Sequence, residues 1–103
     1  KQYITVTLDE QFRILVKQIE TEAERIVPPG TTFVKTKIDS MNIKLPFRYN
    51  KFELDIFNKN DIRMTPYDLE HGDSVDVDLT CKGLWICGHT SSITWTANSI
   101  KVF

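Results

Sequence analysis

The chain has little of what would mark a membrane-spanning, disulfide-stabilised or strongly charged protein. Its 103 residues include only two cysteines and four glycines, and the formal net charge is −1. No apolar run approaches the ~20 residues needed to span a bilayer, and no secretory signal pattern is present. A chain of this length with 41% hydrophobic residues can bury an adequate core. We therefore predict one domain over residues 1–103.

Sequence motifs for catalysis and metal binding are also missing. There is no phosphate-binding glycine loop, no G-x-S-x-G and no H-E-x-x-H. Cys81, Cys87 and His89 lack the paired spacing of zinc ligands. Asp76 and Asp78 alternate along a predicted strand, where they are either a carboxylate pair or, as is more usual, the solvated side of an edge strand. We predict a protein that is not an enzyme and holds no cofactor or metal.

The two cysteines are predicted to be free thiols. If Cys81 and Cys87 share one strand, their Cα atoms lie roughly 20 Å apart, which is far beyond disulfide reach. A tight turn at Lys82-Gly83 would be the alternative. Free thiols favour a reducing, intracellular setting.

One amphipathic helix is predicted over residues 8–27, after a short strand in "YITVTL". Thr7 and Glu10 have the spacing of a capping box, and "PPG" at 28–30 ends the helix. Apolar residues recur at helical spacing from Leu8 to Ile26. The other face is expected to carry the charged side chains, namely Glu10, Arg13, Lys17, Glu20 and Glu24.

After Gly30 the apolar pattern changes from the helical period to the period of strands. Five to seven short strands are expected in "TFVKTKI", "MNIKLPF", "KFELDIF", "SVDVDLT", "GLWIC", "ITWTA" and "IKVF". Thr65 and Pro66 predict a single helical turn before "SVDVDLT". This layout predicts a mainly β fold with one N-terminal helix (α+β), in which residues 31–103 form a small OB-like antiparallel barrel.

The two tryptophans lie in the last two predicted strands. If "GHTSS" is a hairpin loop centred on Thr90, Trp85 faces Trp95 across the strand pair. Each indole could fill the core or present a flat surface for stacking. We expect Trp95 to be the more structural of the two, since Ile93 shares its face. Trp85, which lies nearer to Lys82, is the better stacking candidate.

Positive charge is concentrated in the middle of the chain. Residues 35–63 carry seven basic and four acidic side chains, whereas residues 64–103 carry two and five. Aromatic residues are interleaved with these cations, although the simplest alternative is a set of ordinary surface lysines. Single-stranded nucleic acid requires cations for its phosphates and flat rings for its bases. The predicted binding residues are Lys35, Lys37, Lys44, Phe47, Arg48, Tyr49, Lys51, Lys82 and Trp85.

Four short motifs follow one another in the last two thirds of the chain. They are Lys44-Leu45-Pro46, Gly72 through Val75, Gly83-Leu84-Trp85 and Thr94-Trp95. In this order they resemble the OB-fold single-stranded-DNA-binding proteins of nucleocytoplasmic large DNA viruses, over roughly residues 34–103. The chain departs from that family in its glycine-poor "GHTSS" loop and its acidic last third.

The resemblance implies non-catalytic binding of single-stranded DNA in viral replication or repair, in the host cytoplasm or nucleus during infection. RNA is an alternative ligand, and other replication proteins or a second copy of the chain are further candidate partners. No membrane partner is predicted. The rival function is a protein-interaction domain that docks a partner through its helix or a sheet edge.

Overall fold

The computed structural model describes residues 2–37 and 39–103. Most of the regular structure is strand, with one α-helix and a sheet that curls into a half-barrel, so the predicted mainly β, α+β class is confirmed. In chain order the elements are β1 (Tyr3–Thr7), α1 (Glu10–Arg25), β2 (Thr32–Phe33), β3 (Ser40–Lys44), β4 (Phe47–Arg48), β5 (Lys51–Phe52), β6 (Asp55–Asn58), β7 (Arg63–Met64), β8 (Val75–Cys87) and β9 (Thr90–Val102).

The N-terminal helix is shorter than predicted, and its cap is a different residue. Asp9 is the N-cap, and its carboxylate accepts a hydrogen bond from the Phe12 backbone N–H at 2.7 Å. The predicted cap, Thr7, instead belongs to β1, where it pairs with Ser40. The Leu8 backbone N–H also donates to the Asp39 carbonyl at 2.8 Å, so the chain is still paired one residue beyond Thr7 and the helix begins only after Asp9. No helix in the described residues is both long and apolar enough to cross a bilayer.

Replacing the observed cap should cost more stability than replacing the predicted one. We expect Asp9→Ala to lower the free energy of unfolding by about 1 kcal/mol, because the Phe12 N–H loses its partner. The matched Thr7→Ala variant should cost less, since the Thr7 side chain is exposed and does not cap the helix. Urea unfolding of both variants measures the difference. A larger loss for Thr7→Ala would contradict this assignment.

β9 is the central strand of the sheet. Along one side it pairs with β8 in the antiparallel direction, and along its other side it pairs in turn with β2, β3 and β6, all in the parallel direction. β1 and β7 extend the sheet by antiparallel pairing with β3 and β6. The sheet is therefore mixed, and the expectation of an antiparallel sheet throughout is wrong. β8 is antiparallel to β3 and β6 in direction. The tight turn after β8 reverses the chain, so β9 is parallel to β3 and β6.

The β8–β9 hairpin has a shorter turn than predicted. Its turn consists of Gly88 and His89 alone, with Cys87 paired to Thr90. Gly88 has a φ of +61°, as the first central position of a type II′ turn requires. This turn shifts the whole register, so Trp85 pairs with Ser92 and not with Trp95. The predicted pairing of the two tryptophans is therefore wrong.

The last four predicted strand segments merge into two long strands that bend at bulges. Register shifts lie between Asp78 and Leu79 and between Cys81 and Leu84. Gly83 lies in the second bulge with a φ of +90°, which favours glycine. Both cysteines are free, as predicted. Asp76 and Asp78 lie on the exposed side of β8, which confirms the ordinary edge-strand interpretation.

The core lies between α1 and the concave face of the sheet. Its buried apolar residues come mainly from β3, β6 and β9, and they are Val16, Met41, Ile43, Leu45, Leu54, Ile56, Trp95, Ala97, Ile100 and Val102. Trp95 is only 6% exposed and makes an edge-on contact with Phe12, at 5.7 Å between ring centroids. The prediction that Trp95 is a core residue is thus confirmed.

A helical turn precedes β8 where it was expected. It is a single 3-10 turn at Pro66–Asp68, with Thr65 as its N-cap. The Asp68 carboxylate accepts a hydrogen bond from the Thr65 backbone N–H at 2.8 Å. Pro66 is buried in the first position of the turn, where its missing N–H costs nothing.

Candidate nucleic-acid interface

A groove of about 560 Å³ lies where the segment Val34–Lys37 approaches β1, β3 and the β8–β9 hairpin. The segment continues from β2, and the Val34 N–H donates to the Ser91 carbonyl of β9 at 2.7 Å. The predicted strand "TFVKTKI" is regular only at Thr32–Phe33, and Ile38 lies outside the described residues. The remainder of the segment forms one wall of the groove.

Three of the predicted lysines line this groove. Lys35 and Lys37 come from the wall segment, and Lys44 comes from the end of β3. Alternation along β3 places Lys44 outside, because its neighbours Ile43 and Leu45 are fully buried. The groove therefore combines cations from two segments that are separated along the chain.

Two aromatic side chains with exposed surface also line the groove. Trp85 is 44% exposed, and Tyr3 is 55% exposed. Tyr3 lies on β1 directly beside Lys44 of β3. Tyr3 is not among the binding residues predicted from the sequence. The alternation in "YITVTL" could have identified Tyr3 as an exposed ring. Ile4 and Val6 face the core, so Tyr3, at the alternate position, faces out.

A buried carboxylate also lines the groove. Glu20 is 7% exposed, although it was expected on the solvated face of the helix. Its two oxygens accept hydrogen bonds from the Thr36 backbone N–H at 2.9 Å and from the Thr36 hydroxyl at 3.1 Å. One turn further along α1, the Glu24 carboxylate lies 3.3 Å from the Lys35 ammonium. The helix thus contacts the basic wall segment with two carboxylates.

Trp95, Met41 and Ile93 are apolar residues that also line the groove. Its indole Nε1 is buried and has no hydrogen-bond partner among the residues that the structure describes. The exposed ring of Trp85 and the buried ring of Trp95 therefore border the same groove while differing in their solvent contact.

Four other predicted residues form a separate hairpin. Phe47 and Arg48 of β4 pair with Phe52 and Lys51 of β5, and Tyr49-Asn50 make the turn. Both turn residues have positive φ angles, 53° and 62°, as a type I′ turn requires. None of the four borders the groove.

The tip of this hairpin presents an aromatic ring beside a cation. Tyr49 is 85% exposed, and the Arg48 guanidinium lies 6.0 Å from the centroid of its ring. Phe47 packs edge-on against Phe52 at 4.8 Å between centroids, which anchors the base of the hairpin. Lys82 belongs to neither cluster, because it lies in the second bulge of β8. The predicted set is thus divided into a groove group, a hairpin group and one isolated lysine.

The groove is lined by three exposed lysines and by two aromatic rings with exposed surface. Cations contact phosphates, and rings stack on bases, so the two features together fit an extended single strand. Comparison of the chain with protein-family models, with curated proteins and with solved structures found no match.

Proposed function

We propose that this chain binds single-stranded DNA, without catalysis, in the groove between the Val34–Lys37 segment and β3. The observation that carries the proposal is the convergence of Lys35, Lys37 and Lys44 with the exposed rings of Trp85 and Tyr3. These five residues come from four separate parts of the chain, and the fold brings them to one concave surface.

In this proposal the backbone of the strand follows the lysines while one or two bases turn toward the rings. Tyr3 and Lys44 are cross-strand neighbours. A single nucleotide could therefore stack its base on the Tyr3 ring while its phosphate contacts the Lys44 ammonium. Alanine substitution at such a ring costs about 1–3 kcal/mol of binding per stacked base. The hairpin residues Arg48 and Tyr49 extend the surface for a longer strand.

The OB-like description of the half-barrel and its place in viral DNA replication or repair are part of this same proposal. The support is the motif order that resembles the viral single-stranded-DNA-binding proteins, together with a curled sheet and a helical turn before β8. Partly open five-stranded barrels of the OB type bind oligonucleotides on a strand face and its adjoining loops. RNA is the alternative ligand for the same groove.

Titration with oligo-dT, followed by tryptophan emission, tests the proposal. We expect saturable quenching of Trp85, because a stacked base lies on its exposed ring, while the buried Trp95 responds little. The matched variant Trp85→Phe keeps an aromatic ring and should still bind by anisotropy of a labelled oligonucleotide, but with the quenching lost. An oligo-rU titration distinguishes DNA from RNA. Absence of binding to either strand at low salt would refute the function.

The second candidate is docking of an extended peptide on the outer edge of β1. In the described residues β1 pairs only with β3, and its five residues carry no charge, proline or bulge. Such an edge is open to strand addition. A groove of about 710 Å³ separates β1 from residues 69–75, where Glu70 and Asp73 favour a basic partner. In the oligo-dT titration this alternative predicts no affinity and no quenching.

A further inference from the structure

Glu20 is the one charged residue on the buried face of α1, between Val16 and Ala23. Burial of a carboxylate is costly unless hydrogen bonds compensate it. Both hydrogen bonds that the described residues donate to the Glu20 carboxylate come from Thr36. Thr36 lies in the wall of the groove, and its chain neighbours Lys35 and Lys37 also line the groove.

Among the residues that the structure describes, the segment 35–37 makes few other hydrogen bonds or ion pairs. The backbone hydrogen bonds to β9 end at Val34, the residue that precedes the segment. Within the described part of the chain, the hydrogen bonds to residues 35–37 are those that Thr36 donates to Glu20, and the one ion pair is Lys35 with Glu24. Among the described residues, the side-chain contacts that hold this segment therefore come from the helix, through Glu20 to Thr36 and through Glu24 to Lys35.

We infer that Glu20 is a positioning residue for the groove, which holds Lys35 and Lys37 at the rim through Thr36, and that Glu24 competes with phosphate for Lys35. The inference rests on the proposed function. The two carboxylates are one helical turn apart and contact the same segment, yet they have opposite effects on the binding of a polyanion. Glu20 raises the affinity because it orders the lysines, and Glu24 lowers it because it occupies one of them.

Charge alone predicts a different result. Both carboxylates are anionic and close to the groove lysines, so simple electrostatics predicts that removal of either one strengthens binding to DNA. Under the inference, truncation to alanine follows this rule at Glu24 but not at Glu20. The direction of the change in affinity caused by Glu20→Ala therefore separates a positioning role from a general charge effect.

The test compares glutamine and alanine at each position, with anisotropy of a labelled oligo-dT measured over a series of salt concentrations. Glutamine at position 20 can still accept from the Thr36 N–H, and its amide can donate to the Thr36 hydroxyl. We therefore expect Glu20→Gln to bind at least as tightly as the unmodified chain. Glu20→Ala should bind more weakly, and its salt slope should fall by about 1.4, the equivalent of two phosphate contacts on a single strand.

The matched variants at Glu24 should behave differently. Within the described residues, its carboxylate accepts no hydrogen bond from the wall segment and forms one ion pair, with the exposed Lys35 ammonium. Glu24→Gln and Glu24→Ala should both raise the affinity, by up to about fivefold, which is the range of an exposed ion pair. In a Lys35→Ala, Lys37→Ala background, Glu20→Ala should cause no further loss of affinity. Affinity of Glu20→Ala equal to or above that of the unmodified chain would overturn the inference.

Two further measurements apply if Glu20→Ala does not fold or if the chain does not bind oligo-dT. In the first case, Thr36→Val removes only the hydroxyl donor. An affinity equal to that of the unmodified chain would then contradict a positioning role for Glu20. If the unmodified chain does not bind oligo-dT, the proposed function fails, and amide hydrogen exchange at residues 35–37 decides the positioning. Faster exchange in Glu20→Ala than in Glu20→Gln supports it, and equal exchange overturns it.

Discussion

Replacing Trp95 by alanine is expected to remove most of the stability of the protein, with a loss of about 3–5 kcal/mol in the free energy of unfolding. Its indole is 6% exposed, packs edge-on against Phe12 of the helix and belongs to the main core cluster. Truncation would leave a cavity between α1 and β9. Urea unfolding, or thermal melting where the variant is too unstable for urea, measures the loss.

Trp85→Ala is the matched control for this substitution. Its side chain is 44% exposed and lies outside the core cluster, so folding should change little. Under the proposed function, the same change weakens oligo-dT binding by about 1–3 kcal/mol. Equal destabilisation by both variants would show that Trp85 is also a structural residue. The stacking surface would then have to be sought at Tyr3 and at Tyr49.

The second large effect is expected when the three groove lysines are replaced together. In the Lys35→Ala, Lys37→Ala, Lys44→Ala variant, the slope of log K against log salt should fall by about 2, since each lost phosphate contact on a single strand contributes about 0.7. Affinity at low salt should drop the most, because counterion release is most favourable there. Anisotropy titrations with oligo-dT at several salt concentrations measure both quantities.

A charge-matched control separates the groove from overall charge. Lys17, Lys59 and Lys101 are exposed and do not border the groove. Their combined replacement by alanine gives the same net charge as the groove variant but should leave the slope nearly unchanged. Equal slopes for the two triple variants would locate binding elsewhere, and the hairpin residues Arg48 and Lys51 would be the next to replace.

The sequence was informative wherever a residue's neighbours along the chain determine its environment. Alternation placed Val75, Val77 and Leu79 toward the core and Asp76 and Asp78 in solvent, and the structure agrees. Prediction from the sequence failed where the length of one short turn determines the pairing of many residues. The Gly88-His89 turn is two residues long, and choosing a longer loop displaced every predicted pair of the final hairpin.

The candidate site was harder to predict than the fold. Lys35 and Lys44 were proposed from their charge and from the rings interleaved with them, but nothing local shows that they share a groove while Arg48 and Tyr49 do not. That division depends on the parallel pairing of β3 with β9, which no short pattern encodes. Glu20 was misplaced for a related reason. Helical periodicity treats any carboxylate as solvated, and a single distant partner, Thr36, reverses this.

The central position of β9 has a consequence for how the protein folds. β2, β3 and β6 precede β9 in the chain, and each is joined to it by parallel pairing, so none of them can complete its hydrogen bonds until residues 90–102 are in place. Contacts between distant parts of a sequence slow folding, because loop closure must precede the stabilising contacts. During synthesis, the earlier strands would therefore leave the ribosome without their shared partner and with exposed edges. The local β8–β9 hairpin is the natural nucleus, since its two strands need only a two-residue turn to meet.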